Sequence, residues 1–190
     1  VAEYIAECRD CSIPLLPPDV NRSEADFTVE DGGIRFGLVA IKNIGRGFIN
    51  AVIESRERDG AFRSLDDFCR RVAGKEFNRR AVESLIRAGA FDSLGAKRRQ
   101  LVEVLPMVVD SVSEAARKNV DGQMDLFSFG KSGEEAVAAA DIALPDVEEY
   151  TMRERMAMEK ETTGLYLSGH PMDEYREAAR KDGAASIGAI

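Results

Sequence analysis

The stretch IKNIGRG, residues 41 to 47, combines glycines and cationic side chains at a break between two helical patterns. Gly45 and Gly47 predict a tight turn whose backbone is open to a ligand, followed directly by a second helix. Unpaired amide groups and the positive end of the macrodipole at the start of such a helix form an anion site. Since Arg46 and Lys42 add positive charge, we take Lys42, Ile44, Gly45, Arg46 and Gly47 as the candidate phosphate-binding residues.

This turn resembles the helix-hairpin-helix motif, in which the amides at the start of the second helix contact a phosphate. Such contacts read the backbone of a nucleic acid and not its bases, so the resemblance implies binding to a duplex of any sequence. The match is incomplete, because Lys42-Asn43 stands where the motif usually has Pro-Gly or a similar pair. An ordinary helical hairpin with a glycine turn is the alternative.

A second segment, DGQMDLFSFG from 121 to 130, places apolar side chains where no helical or strand periodicity exists. Gln123-Met124-Asp125-Leu126-Phe127 resembles the pentapeptide by which bacterial polymerases hold the ring-shaped sliding clamp. In that resemblance the Gln side chain forms a hydrogen bond at the rim of a pocket, and Leu and Phe fill the pocket. The alternative is that Leu126 and Phe127 pack onto the protein's own core, as isolated apolar loop residues often do.

The sequence shows no pattern of a catalytic centre. It contains no glycine-rich P-loop with its lysine, and no serine or cysteine nucleophile with a base beside it. Aspartates for two-metal nucleotidyl transfer are expected on adjacent strands, whereas Asp26, Glu30 and Asp31 lie at or near a surface turn. We therefore predict no catalytic residue in these 190 residues.

Metal binding is not predicted either. The pair Cys8-x-x-Cys11 needs two further ligands for zinc, and only Cys69 and His170 remain in the sequence. The pair also closes a helical pattern instead of opening a helix after a strand, as a redox motif would. We predict reduced, partly buried cysteines, and a turn or helix-cap role for His170 before Pro171.

Charge is segregated along the chain. The net charge is −8, yet residues 33 to 100 contain 15 Lys/Arg against 8 Asp/Glu, and the rest contains 11 against 26. A basic block between acidic ends is typical of a phosphate-binding module inside a larger assembly, although solvated helix faces can also be basic. No apolar run approaches the roughly 18 residues of a membrane span, and a signal peptide pattern is missing, so we predict a cytoplasmic protein without a membrane partner.

The periodicity predicts a mainly α protein with one small β-hairpin around Asp31-Gly32-Gly33. A short helix precedes the glycine turn and a longer one follows it until Gly60, while Ser64 and Asn78 are expected to cap two further helices. A long amphipathic helix is predicted from about Lys97 to Lys118, then a linker, then a long helix that starts near residue 148 and ends near Gly164 to Gly169.

Five segments, in this order, resemble the bacterial DNA polymerase III α (catalytic) subunit and together run through nearly the whole chain. They are LLPPDVNRSEADFTVEDGGIRFGLVAIKNIG, FRSLDDFCRRV, NRRAVESLIRAGAFDSLG, GQMDLF and EKETTGLYLSGHP. The resemblance implies four units of a longer protein. They are the end of the fingers helix, a connector and the first hairpin strand (1–32), a tandem helix-hairpin-helix DNA-binding region (33–118), the clamp-binding loop and linker (119–147), and a helix leading towards an oligonucleotide-binding domain (148–190).

The same resemblance implies which partners to expect. They are double-stranded DNA, the sliding clamp (β subunit), and the remainder of the polymerase chain with its holoenzyme subunits. The catalytic aspartates of the polymerase, and the magnesium it is expected to use, would lie outside this segment, which has no cofactor of its own. The alternatives are a helix-hairpin-helix DNA-binding accessory domain of a repair protein, with the Gln123 loop as a structural pin, and a protein-interaction scaffold.

Overall fold

A computed structural model of the chain describes residues 5, 7–8, 11–74, 77–120, 142–175, 178 and 181. Within these residues the protein is mainly helical with one small sheet, as predicted. The strands are β1 (Leu15–Leu16), β2 (Thr28–Glu30) and β3 (Gly33–Arg35). The helices are α1 (Arg46–Asp59), α2 (Leu65–Val72), α3 (Arg79–Arg87), α4 (Arg98–Val120) and α5 (Met152–Thr163). Short 3₁₀ turns lie at Leu38–Ala40, Asp92–Leu94 and Asp173–Tyr175.

The predicted hairpin is confirmed as the antiparallel pair β2 and β3. Its turn needs left-handed backbone at two positions, and Asp31 (φ 49°) and Gly32 (φ 77°) supply it. A third strand was not predicted: β1 pairs in parallel with the other edge of β3, with Leu15 opposite Ile34. Only two residues long and surrounded by prolines, β1 carries no alternation that a sequence pattern could detect.

The core is organised around Phe68 on α2. Its ring lies edge-to-face against Phe62 and Phe91, with centroids 4.8 and 4.9 Å apart, and Phe48 of α1 approaches at 6.2 Å. All four side chains are at most 2% exposed. Aromatic pairs in this arrangement add stability beyond the burial of their surface, so α1 and α2 are packed against the turn after α3.

The local signals for helix ends are confirmed. Ser64 Oγ accepts a hydrogen bond from the Asp67 amide at 3.1 Å, and the Asn78 side chain accepts one from the Arg80 amide at 2.9 Å. Gly60 ends α1 with a φ of 82°. The apolar residues that follow the Asn78 cap at helical spacing are buried: Ala81, Leu85 and Ile86 in α3, and Ala88 directly after it.

The long helix predicted from Lys97 to Lys118 is α4. It starts one residue later, ends two residues later and continues through Pro106. In the part of the chain that the structure describes, neither this helix nor any other is apolar over a length that would cross a membrane.

The last helix starts later than the predicted residue 148, because it is capped at Thr151, and it ends at Gly164, within the predicted range of end positions. Thr151 and Glu154 form a capping box: the Thr151 hydroxyl accepts from the Glu154 amide, and the Glu154 carboxylate accepts from the Thr151 amide. Gly164, at φ 79°, ends α5 after 12 residues. Residues 142–150 before it are neither helix nor strand. The unit boundaries at 32, 118 and 147 stay a prediction.

A buried ion pair joins α5 to the start of α4. Arg98 Nη1 lies 3.0 Å from Glu159 Oε1, with side chains 4% and 0% exposed. Arg98 also donates to Asp92 at 2.7 and 2.9 Å, and the other Glu159 oxygen accepts from the amides of Leu167 and Ser168, both at 2.9 Å. Burial alone would lower the pKa of Arg98, but its bonds to Asp92 and Glu159 raise it above the ordinary value.

Glu159→Ala is expected to lower the free energy of unfolding by about 3–5 kcal/mol, because Arg98 then stays buried without its charge partner on α5. Glu161→Ala, two residues along the same helix, is the matched control. The Glu161 side chain is 64% exposed, so its loss is expected to cost a small fraction of that amount. Equilibrium urea unfolding measures the free energy of unfolding of both variants. Equal losses would show that the buried ion pair stabilises the protein no more than an exposed one.

Gly89→Ala is expected to destabilise the protein more than Gly95→Ala. Both glycines have left-handed backbone, at φ 85° and 81°, which costs an alanine about 1–2 kcal/mol. A Cβ at Gly89 would also overlap the Arg98 guanidinium, lying 2.9 Å from Cζ, whereas one at Gly95 meets nothing within 4 Å. Thermal unfolding midpoints compare the two variants, and identical shifts would show that Arg98 tolerates displacement.

Candidate nucleic-acid interface

The glycine turn runs from a 3₁₀ turn to the first residue of α1. The short helix predicted before it is only the 3₁₀ turn Leu38–Ala40, because the backbone is already extended at Ile41. Asn43 has a φ of 66°, a left-handed conformation that asparagine tolerates better than most residues. Since α1 begins at Arg46, Gly47 lies in the first turn of the helix and not in the break predicted from Asn43 to Gly47.

Contacts from two distant helices hold this turn in place. The Lys42 amide donates to the carbonyl of Thr162, at the end of α5, over 2.8 Å. The Asn43 side-chain amide donates to Ser84 Oγ of α3 over 3.2 Å, and Ile44 is half-buried against the core. Thr162 and Ser84 were not predicted as site residues, since a carbonyl and a buried hydroxyl leave no mark in sequence. The only sequence signal for these contacts was Asn43 itself, because asparagine is common at tight turns.

The start of α1 has the geometry of an open anion site. No side chain caps it, its first turn carries no acidic residue, and Gly45 has an extended backbone (φ −83°, ψ 150°). Any residue could adopt that backbone, so the benefit of Gly45 is space: a Cβ there would meet nothing within 4 Å. The first-turn amides are thus accessible to a phosphate oxygen.

Two cations flank these amides. Lys42 is exposed, and Arg46, with a side chain 68% exposed, reaches Asp26 only at 3.7 Å. An ion pair with this exposure contributes little, because water screens both partners. The geometry therefore brings four of the five predicted residues to one solvent-facing turn, with Ile44 anchoring it from the core side.

Most arginines of the basic block have structural roles. They form ion pairs with carboxylates of the same chain: Arg35, Arg56, Arg58, Arg70, Arg71, Arg87, Arg98 and Arg99. Arg71, for example, also donates to the carbonyls of Ser55 and Gly60 and lies over the Phe62 ring. Among the described residues of the block, side chains without an ion pair are those of Lys42, Arg63, Arg79, Arg80 and Lys97. The cations of this block that are available to a phosphate are therefore fewer than the sequence suggests.

Partial burial, predicted for all three cysteines, is found only at Cys8, whereas His170 lies in a turn as predicted. Cys69 is fully buried in the core, and burial raises the pKa of its thiol to about 12, whereas Cys11 is exposed. His170 lies in a turn, where its amide donates to Asp173 and its Nδ1 accepts from the Met172 amide. Nowhere in the described ranges do His, Cys, Asp and Glu side chains gather into a group that could hold a metal ion.

The second predicted site lies outside the described residues. It comprises Gln123, Met124, Asp125, Leu126 and Phe127, in the gap between residues 120 and 142. Its role as a clamp-binding segment stays a prediction.

Comparison with known proteins shows which families the chain is similar to. A family model described as a helix-hairpin-helix motif matches residues 12–101, which include the sheet, the glycine turn and α1 to α3. The chain is 42% identical over 182 residues to the DNA polymerase III subunit alpha of Deinococcus radiodurans, covering 94% of this chain and 13% of that protein. It is 40% identical to the subunit of Pseudomonas aeruginosa, covering 95% and 17%, and 41% identical to that of Thermus aquaticus, covering 92% and 14%.

The matches extend along the chain beyond the helix-hairpin-helix region, yet the chain spans less than a fifth of the length of each of these relatives. This level of identity extends over at least nine-tenths of the chain, and the helix-hairpin-helix model matches residues 12–101. The chain therefore belongs to the DNA polymerase III α-subunit family and matches one segment of these relatives.

Proposed function

We propose that this segment binds the phosphate backbone of double-stranded DNA as part of a replicative polymerase subunit. The observation that carries the proposal is the uncapped, acid-free start of α1 beside an open Gly45. Lys42 and Arg46 stand next to it, exposed to solvent. The helix-hairpin-helix match over residues 12–101 and the polymerase relatives favour DNA over other anions, and favour a polymerase over a repair accessory protein.

Binding would require little rearrangement at this site. A phosphate oxygen accepts hydrogen bonds from the first-turn amides of α1, whose dipole favours negative charge. Arg46 exchanges its weak contact with Asp26 for the phosphate, and Lys42 approaches from the fixed turn. Every contact is to the backbone, so affinity is independent of base sequence and falls with salt as counterions are released.

We propose in addition that Gln123-Met124-Asp125-Leu126-Phe127 binds the sliding clamp. The support is the sequence of the pentapeptide itself and the polymerase relatives. Two weak contacts in one chain, one to DNA and one to the clamp, raise each other's effective concentration. Such a tether allows processive synthesis without tight binding at either site.

The parent subunit would be a DNA-directed DNA polymerase, with the rest of its chain and the holoenzyme subunits as further partners. Its catalytic aspartates and the magnesium ions they hold are assigned to parts of the polymerase beyond this segment. The segment's own contribution would be positioning: it holds newly made duplex and keeps the subunit near the clamp.

Duplex DNA is expected to bind weakly and with a steep salt dependence. With a few phosphates engaged, a plot of log K against log salt should have a slope of roughly −2 to −5, at about 0.9 per phosphate. Gly45→Leu should reduce affinity about tenfold or more, comparable to losing a hydrogen bond to a charged group at about 1.5–3 kcal/mol. Fluorescence anisotropy with a labelled duplex measures both quantities.

Gly74→Leu is the matched control for this variant. Gly74 is also exposed, lies in the basic block and has open space where a Cβ would be. We expect it to leave DNA affinity within twofold of the original chain. A flat salt dependence, or equal affinities for the two leucine variants, would refute a phosphate site at the start of α1.

The double variant Leu126→Ala, Phe127→Ala should remove most clamp binding, since buried anchors commonly contribute on the order of 2 kcal/mol or more each. A peptide of residues 121 to 130 should bind the clamp with a dissociation constant on the order of micromolar, about 8 kcal/mol. Calorimetry of peptide and chain with purified clamp measures this. The thermal midpoint of the chain should stay almost unchanged, because residues kept for a partner add little to the core.

Phe129→Ala is the matched control for the clamp. Phe129 is an aromatic residue of the same segment, outside the pentapeptide, so its loss should leave clamp binding nearly intact. Retained clamp binding together with a lowered midpoint in the double variant would favour the alternative, in which Leu126 and Phe127 pack onto the protein's own core.

A further inference from the structure

A polar groove of about 490 Å³ runs beside the glycine turn. The turn forms its floor, α3 one wall and the end of α5 the other, so three parts of the chain that are distant in sequence meet there. It extends beyond the residues matched by the helix-hairpin-helix family model, because the α5 wall lies after residue 101. Of the five residues predicted to bind phosphate, only Lys42 lines this groove.

The floor of the groove is fixed in position. Lys42 is attached through its amide to Thr162 of α5, and Asn43 through its side chain to Ser84 of α3. The two neighbouring residues are therefore pinned to opposite walls. A cationic side chain that emerges from such a floor starts from a defined backbone position, which lowers the entropic cost of holding a ligand.

The charges in the groove leave two cations available. Arg87 is occupied by Glu161 of the opposite wall at 2.8 Å and by Glu83 at 3.8 Å. Lys42 and Arg80 also line the groove, are exposed, and have no ion pair with any described residue. The groove consequently contains three cations and two carboxylates, with the excess positive charge at Lys42 and Arg80.

We propose that Arg80, together with Lys42, binds a second phosphate of the DNA backbone, adjacent to the one held at the start of α1. The inference rests on the proposed DNA-binding function and extends it to a residue outside the glycine turn. Lys42 links the two proposed sites, because it lines the groove together with Arg80 and precedes Gly45 by three residues in the same turn. Guanidinium and ammonium groups are the usual partners of backbone phosphates.

Arg80→Gln in the intact chain tests this, with Arg63→Gln as the matched control. Arg63 belongs to the same basic block, is exposed and also has no ion pair in the described structure. Both variants lose one positive charge, but only Arg80 lines the groove. Arg80→Gln should weaken duplex binding about tenfold and make the salt slope less negative by about 0.9, whereas Arg63→Gln should change affinity less than twofold. Arg80→Lys should restore the slope, because it keeps the charge.

The outcomes separate this proposal from the function on which it rests. If the original chain binds duplex DNA with a steep salt slope and Gly45→Leu weakens it, while the Arg80 and Arg63 variants behave alike, the groove is not a phosphate site and the α1 site stands. If Arg80→Gln weakens binding but lowers the thermal midpoint as well, and Arg80→Lys does not restore the slope, Arg80 has a structural role and the proposal is wrong. If the original chain shows no salt-dependent binding, both ideas are wrong.

Discussion

The ion pair between Arg98 and Glu159 is the interaction on which the position of α5 against the start of α4 depends. It is buried on both sides, and its members come from the first residue of α4 and the middle of α5. Burying two charges is costly, and the cost is offset only when every remaining polar atom has a partner. Here Asp92 and the amides of Leu167 and Ser168 complete the network. The pair thus orders the turn before α4, α5 itself and the chain that follows α5.

The same pair has a consequence for the candidate DNA-binding face. Because Glu159 holds α5 against the start of α4, the last turn of α5 reaches the glycine turn, where the Thr162 carbonyl accepts the Lys42 amide. A helix outside the matched motif therefore helps to set the conformation of the motif. The position of Arg98 also explains why residue 89, in the turn after α3, is a glycine. The Arg98 guanidinium fills the space that a Cβ at this residue would need.

Charge in this protein serves two purposes that composition cannot separate. Arginines such as Arg56 and Arg71 reach backbone carbonyls and carboxylates and hold loops in place. Others, such as Arg80, face solvent without an ionic partner in the described structure. A net positive block is compatible with either use. Only the pairing pattern shows which side chains remain free for a phosphate.

Clamp binding and DNA binding would lie on different parts of the chain. The candidate DNA-binding residues sit on a turn fixed by α3 and α5, whereas the proposed clamp-binding pentapeptide lies between α4 and α5 in sequence. In the proposed function, a turn held at a fixed position would suit contacts that keep a duplex in register with the active centre of the parent polymerase. The proposed tether needs only a short motif with apolar anchors, whose affinity depends on the clamp's pocket.

The sequence by itself determined the features that depend on a few adjacent residues: the caps at Ser64 and Asn78, the end of α1 at Gly60, and the hairpin turn at Asp31-Gly32. In each of them the physical cause, a capping oxygen or a tolerated positive φ, lies within a few residues of its effect.

The tertiary structure alone decided the partner of Arg98, 61 residues away, the anchoring of Lys42 by Thr162, and the pairing of β1 with β3. It also decided which cations of the basic block stay unpaired. These depend on how helices dock, and docking is set by the summed packing of many side chains around Phe68. No local pattern encodes such a sum, so the same arginine-rich sequence was compatible with several surfaces until the helices were in place.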